Sequence, residues 1–193
     1  MNLGVRDLVT IGVFTAVYLT IYVILSGVLF TPWLFMGLLP VGALLSAPVY
    51  LLFIARTQKP FAITILGLVA AVIVGLLVYG NVLIALVNLG IAVVADLIAY
   101  LGRYKSLVLN VASYVVMSFW AIGQQGAMWV ARDWYRDLTI SSGYSADFAD
   151  GTLDLATGPM LAGIAVATVI AALISSYGAR NMLDRHFRRV GVA

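Results

Sequence analysis

The chain has 193 residues, 63% of them hydrophobic and only 10% charged, with a net charge of +3 and a mean hydropathy of +1.07. A soluble domain carries about 25% charged residues, so this composition excludes a water-soluble fold and makes lipid the solvent. With no cysteine, disulfides, zinc–thiolate sites and cysteine nucleophiles are excluded too.

At about 20 residues per crossing, five to seven helices fit. The pattern predicts one transmembrane domain over residues 1–193 and no soluble domain. The apolar run from Leu8 is longer than about 20 residues and lacks a small-residue cleavage site, so it reads as a retained first helix rather than a signal peptide. That helix covers about 8–30 and ends at Thr31-Pro32-Trp33. The second covers about 37–55 and ends at Arg56-Thr57-Gln58-Lys59-Pro60. The third covers about 61–78. Tyr79-Gly80-Asn81 makes a tight turn, and the fourth covers about 82–101. Gly102-Arg103-Tyr104-Lys105-Ser106 forms the next loop, and the fifth covers about 107–131. After a polar stretch, the sixth runs from about 159 to 182, with Pro159 suited to a first helical turn. The fold class is an all-α, six-helix membrane bundle.

Charge gives the orientation. Arg6, Arg56, Lys59, Arg103, Lys105, Arg180, Arg185, Arg188 and Arg189 fall on one side, and only Arg132 and Arg136 on the other. The positive-inside rule then predicts cytoplasmic termini. The loop between the fifth and sixth helices is extracellular, carrying Asp133, Asp137, Asp147, Asp150 and Asp154. It is either an ordered cap or a mobile gate.

Residues 118–154 gather Trp, Tyr, paired amides and opposite charges more densely than any other stretch. Asn88, Gln124 and Gln125 lie about two turns below the outer ends of their helices, where an amide bonds across helices or lines a cavity. Trp120, Trp129 and Trp33 are suited to stacking on a planar ligand. Trp129, Trp134 and Tyr135 also suit an interfacial aromatic belt. Arg132 and Arg136 either clamp an anionic group of a ligand or are neutralised by Asp133, Asp137 or another loop aspartate. The convergence favours a ligand pocket walled by 124–132, with 135–154 as its lid.

Asp96 is the one acid within a predicted crossing. A buried carboxylate must be paired, protonated or near water, and a structural pair with Arg103, Lys105 or Arg180 is the simplest reading. Proton coupling would want a deeper acid with a partner. Small residues recur at helical spacing at Gly12, Ala16 and Thr20, at Gly67, Ala71 and Gly75, and at Gly163, Ala167 and Ala171. Such spacing lets helix backbones approach closely, whether inside the bundle or toward a partner. His186, the single histidine, lies in an arginine-rich tail suited to anionic head groups. No nucleotide-binding, HExxH or nucleophile–base motif is present, so no enzymatic activity, metal, cofactor or nucleic-acid partner is expected. Any active transport would draw energy from a partner.

Five stretches together resemble the Trep_Strep family of bacterial integral membrane proteins. They are 5–18 (VRDLVTIGVFTAVY), 47–56 (APVYLLFIAR), 95–106 (ADLIAYLGRYKS), 129–135 (WVARDWY) and 178–191 (GARNMLDRHFRRVG). Members are regarded as substrate-binding (S) components of energy-coupling factor (ECF) transporters. The resemblance implies six helices with cytoplasmic termini. It implies a receptor that captures a vitamin-like micronutrient from outside, near the outer ends of the last three helices. It also implies docking onto a membrane coupling protein with two ATPase subunits, through small residues on the first helix. Here an Ala-x-x-x-Ala pattern reads Gly12-x-x-x-Ala16, which keeps the surface small and favours docking there.

The reading is an S component for a small planar micronutrient in a bacterial cell membrane. A solitary facilitator or carrier is the first rival. An S component for haem or another tetrapyrrole is a second, with Met128, Tyr135, Tyr144 or Met160 as the only iron ligands on the outer side. An intramembrane enzyme or assembly factor is a third.

Overall fold

A computed structural model describes residues 3–29 and 31–189, with the backbone alone from 180 onward. The expectations placed on the side chains of Arg180, Arg185, His186, Arg188 and Arg189 lie outside the described side chains. The described residues are helical, with no strand.

Helix α1 (Val5–Val28) begins where Asp7 accepts the Gly4 N–H at 2.8 Å. A short α2 (Pro32–Met36) starts on a Thr31 cap with Pro32 in its first turn, and α3 (Leu38–Thr57) returns across the bundle. Helix α4 (Ala62–Ala71) runs on as a π-helical stretch, Val72–Val78. The Tyr79-Gly80-Asn81 turn is as expected, with Gly80 at φ +58. Asn81 then caps α5 (Val82–Leu101) by accepting the Leu83 and Ile84 N–H groups. Beyond the Gly102–Ser106 turn comes α6 (Leu107–Met117), then α7 (Ile122–Gln125) and α8 (Ala127–Val130). Next are α9 (Arg132–Ser141), α10 (Ala146–Leu155) and α11 (Gly158–Arg189).

Five helices are long and apolar enough to cross a membrane: Val5–Val28, Leu38–Thr57, Val82–Leu101, Leu107–Gln125 and Gly158–Ala179. The third expected helix, Ala62–Val78, is the shorter one. The protein is an integral membrane protein by this architecture.

Two expectations change. The fifth helix is not continuous: the Phe119, Trp120 and Ile122 N–H groups bond back three residues rather than four, and Gly126 marks a second break. The polar stretch 132–158, expected as a loop that is either an ordered cap or a mobile gate, is largely helical. It folds as the helical pair α9–α10, turning at Gly143 (φ +93) with Ser145 capping α10.

Helix α3 is the most enclosed crossing, with 56% of its apolar window buried against 28% for α1 and 22% for α11. Pro48 removes an N–H inside α3 and frees the Leu44 carbonyl. Ser175 of α11 donates its hydroxyl to that carbonyl, so the helix passes through the bundle with its backbone satisfied. Lower down, Tyr50 and Ser113 share a 2.8 Å hydroxyl bond, and Ser113 donates to the Ala95 carbonyl. Ser46 and Tyr114 pair at 2.9 Å.

The three small-residue patterns separate. Gly67 and Gly75 are buried where α4 and its π-helical extension meet α5. A Cβ on Gly67 would lie 2.0 Å from the Ala92 Cβ, and one on Gly75 would lie 2.6 Å from the Ala85 backbone. Gly12, Ala16 and Thr20 face outward, and a Cβ on Gly12 would meet nothing within 4 Å. Gly163 and Ala167 are likewise exposed, while Ala171 is buried.

Candidate functional site

The helical pair α9–α10 roofs a cavity of about 220 Å³ at the end of the bundle that carries the acidic residues. Its floor is the amide pair Gln124 and Gln125 on α7. Its walls are Phe35 and Leu38 from the α2–α3 corner, Val78 and Tyr79 from the end of the π-helical stretch, and Ser26 of α1. The roof contributes Tyr135, Leu138 and Thr139 from α9, with Tyr144 and Phe148 from the turn and α10. Among the described residues no charged side chain lines it. At this volume, below the roughly 300–1,000 Å³ of drug-sized sites, it suits a small molecule.

Two departures from α-helical geometry abut this cavity. One is the tightened segment before α7, and the other is the π-helical end of α4. Mid-helix departures of this kind often mark functional positions. The first swings the Gln124–Gln125 pair to meet both α5 and the α2–α3 corner. Asn88 of α5 donates to Gln124 Oε1 at 3.1 Å, and Gln125 donates to the Phe35 carbonyl at 3.1 Å. Gly123 allows this approach, because a Cβ there would lie 2.2 Å from Asn88 Oδ1. These bonds use one end of each glutamine amide. The Gln124 NH2 and the Gln125 Oε1 keep no protein partner among the described residues. A donor and an acceptor thus sit side by side in a cavity lined mainly by aromatic and aliphatic side chains.

The aromatic groups are ordered by one another. Phe148 stacks on Tyr144 at 4.7 Å and meets Phe35 edge-on at 5.8 Å. Burial raises the Tyr135 and Tyr79 phenols above their ordinary range, so both stay neutral and can donate a hydrogen bond.

The roof is tied down by its own charges. Arg136 of α9 holds both Asp150 carboxylate oxygens of α10, at 2.5 and 3.0 Å. The guanidinium holds the Asp150 carboxyl below its usual range, and Asp150 raises Arg136. Arg132 donates to the Leu153 carbonyl at 2.9 Å and the Ala156 carbonyl at 3.4 Å, closing the C-terminal end of α10. A cation there also meets the negative end of the helix dipole. Trp129 donates its indole N–H to the Thr157 carbonyl at 2.9 Å.

The expected site residues therefore divide. Gln124, Gln125 and Tyr135 line the cavity, with Asn88 directly behind Gln124. Trp129 bonds to the residue before α11, and Arg132 joins α9 to the C-terminal end of α10. Arg132 makes no aspartate pair among the described residues and donates instead to helix carbonyls at the α10 end. Asp133 is exposed in the first turn of α9. Trp33 is 68% exposed beside the cavity end, as an interfacial aromatic would be. Trp120 is buried in the core against Tyr18 and Tyr22 at 5.9 and 5.1 Å, away from the cavity lining. Among the groups considered for haem iron, Met128 is fully buried in the core and Met160 packs against it. Among the described residues no cluster of His, Cys, Asp or Glu could hold a metal.

Sequence reasoning missed Phe35, Tyr79, Leu138, Thr139 and Phe148 as cavity residues. A signal was present: Tyr135, Leu138 and Thr139 recur at i, i+3 and i+4, as do Ala149, Thr152 and Leu153 next to Phe148, the inward stripes of two amphipathic helices.

Asp96 lies toward the opposite end and is not paired with Arg103 or Lys105. Its carboxylate accepts the Thr64 N–H at 3.0 Å, the Thr64 hydroxyl at 2.7 Å and the Tyr104 hydroxyl at 2.6 Å. Thr64 is in the first turn of α4, whose own cap position, Phe61, offers no side-chain bond. Asp96 thus caps a neighbouring helix, where the helix dipole favours a negative charge.

No curated protein matches the chain, and no solved structure does. A family model does match, over residues 5–189, and its description is hypothetical bacterial integral membrane protein. The chain belongs to this family, Trep_Strep.

Proposed function

We propose that the protein is a receptor for a small, neutral, planar solute, acting as the S component of an ECF-type importer. The observation that carries this reading is the roofed cavity: aromatic walls, an amide donor and acceptor at its floor, and no charged lining. Such a cavity discriminates by shape and by paired hydrogen bonds, as receptors for vitamin-like molecules must. It argues against an anionic solute, which would find no counter-charge once Arg132 and Arg136 are committed to the roof.

In this reading Ala62–Val78 makes a sixth, short crossing and both termini are cytoplasmic, which the charge asymmetry of the loops supports. The cavity then opens outward in a bacterial cell membrane. The outward face of α1 at Gly12, Ala16 and Thr20 is the docking surface for the coupling protein, which carries two ATPases. Its support is that all three are exposed and that a Cβ on Gly12 would meet nothing within 4 Å among the described residues.

A solitary facilitator needs a polar path across the bundle. The hydroxyls midway, on Ser46, Tyr50, Ser113 and Tyr114, bond to one another or to backbone carbonyls, which favours a receptor over a channel.

Native mass spectrometry of the purified chain tests the proposal. One retained small molecule, lost when Gln124 is replaced by Leu, is expected. Solute uptake that persists without any ATPase would overturn the ECF assignment.

A further inference from the structure

The basic end of the bundle carries two cavities that share a wall. One is a depression of about 920 Å³ lined by Arg56, Gln58, Arg103 and Lys105. The other, about 410 Å³, is a mainly apolar groove lined by Phe61, Val93 and Leu97, with Thr64 and Asp96 at its side. Pro60, Tyr100 and Tyr104 line both, so the two are continuous.

The charges in this pair of cavities are unevenly committed. Asp96 is 4% exposed and holds three donors. Arg56, Arg103 and Lys105 are exposed and have no acidic partner among the described residues, where the ion pairs are Lys59–Asp7 and Arg136–Asp150. The groove below them is open to the membrane side: Phe61 is 68% and Leu97 57% exposed. A cationic bowl above an apolar slot is complementary to an amphiphile with an anionic head.

The bowl is also built with a fixed shape. Arg103 and Tyr104 are consecutive residues at φ +51 and +60, a conformation that persists only where the surroundings impose it. Here the Tyr104 hydroxyl is anchored on Asp96, and Asn110 donates to the Tyr104 carbonyl at 3.1 Å. The two cations flanking Tyr104 are thereby presented on one rigid turn.

We propose that this is a binding site for one anionic phospholipid, its phosphate among Arg56, Arg103 and Lys105 and an acyl chain along the groove between α4 and α5. Basic pockets between membrane helices on the cytoplasmic side recognise such head groups. The proposal does not depend on the receptor reading, only on this basic end facing the leaflet that holds anionic lipid.

The test is thermal unfolding of the full chain in neutral detergent, titrated with phosphatidylglycerol, phosphatidylcholine or inorganic phosphate. Phosphatidylglycerol is expected to raise the Tm saturably, with phosphatidylcholine and phosphate giving little. In Arg103→Asn/Lys105→Gln, half-saturation moves up on the order of tenfold; Asn is chosen because it tolerates the left-handed backbone. Arg56→Gln, at the end of α3, leaves the Arg103–Tyr104 turn intact and keeps the test decisive should the double variant fold poorly. Leu97→Trp, which fills the slot, weakens phosphatidylglycerol alone. Equal stabilisation by phosphatidylcholine, or an undiminished phosphatidylglycerol effect in Arg56→Gln and in any folded double variant, overturns the proposal. A full shift from inorganic phosphate overturns the lipid assignment in favour of a free phosphate anion.

Discussion

Asn88 and Gln124, 36 positions apart, share one hydrogen bond of 3.1 Å between α5 and α7. That bond holds the Gln124 oxygen, and its NH2 keeps no protein partner among the described residues. It also joins the two helices at the level of the cavity floor. Replacing Asn88 by Ala should free the Gln124 amide to turn and leave its oxygen unpaired. Gln124 is half-buried, and a neutral hydrogen bond of this kind contributes about 0.5–1.5 kcal/mol, so losing the positioning of the amide should lower ligand affinity by roughly two- to tenfold. Isothermal titration with the retained solute checks this. An unchanged affinity would mean that the floor is not the recognition surface.

The roof makes a pH prediction. Asp150 has its carboxyl held below the ordinary 3.8 by the Arg136 guanidinium. A depressed folded-state value contributes stability above the unfolded value, and that contribution is lost as pH falls through the folded one. Protection of α10 amides from hydrogen exchange should therefore hold from neutral pH down to about pH 4 and weaken below it. Asp150→Asn should show the weakened protection at every pH. Equal pH dependence in the variant would place the roof's stability elsewhere.

Much of the fold was legible because the apolar runs and their charged ends mark crossings whatever the tertiary packing. Helices 82–101 and the turn at Gly80 follow that pattern closely. The roof was less legible. Its Asp, Ser and Gly content reads as loop, and only the spacing of Tyr135, Leu138 and Thr139, and of Ala149, Thr152 and Leu153, betrays the two helices. The break after Met117 left no mark in an apolar sequence, since three-residue bonding there depends on how α7 meets α5. Arg132 could not be assigned from sequence either. Which carbonyls it reaches is decided by where α10 ends in space, 21 residues later in the chain.

Asp96 gives a second kind of test. If it is a cap for α4, then Asp96→Ala removes acceptors from the Thr64 N–H, the Thr64 hydroxyl and the Tyr104 hydroxyl together. Loss of a cap alone costs about 0.5–2 kcal/mol, and stranded donors at membrane depth add to it. The Tm should fall clearly, while solute affinity at the far end changes little. A variant with normal stability but no uptake would instead assign Asp96 to transport itself.

Gly12 and Gly67 carry the same small-residue spacing and should respond in opposite ways. At Gly67 a Cβ would stand 2.0 Å from the Ala92 Cβ, so even Ala forces α4 and α5 apart. Overpacking of this kind costs typically about 1–3 kcal/mol, and Gly67→Ala should unfold at lower temperature. At Gly12 the added carbon meets nothing. Gly12→Leu should leave the Tm and the solute affinity of the isolated chain unchanged, because neither the bundle nor the cavity touches that face. What it should remove is co-purification with a coupling subunit, since a bulky side chain holds two helices apart where Gly lets the backbones meet. The pairing of the two substitutions separates partner docking from packing. Loss of stability in Gly12→Leu would mean that α1 packs more closely than its exposure indicates. Full retention of the partner would move the docking surface to the other small, outward face, at Gly163 and Ala167 of α11.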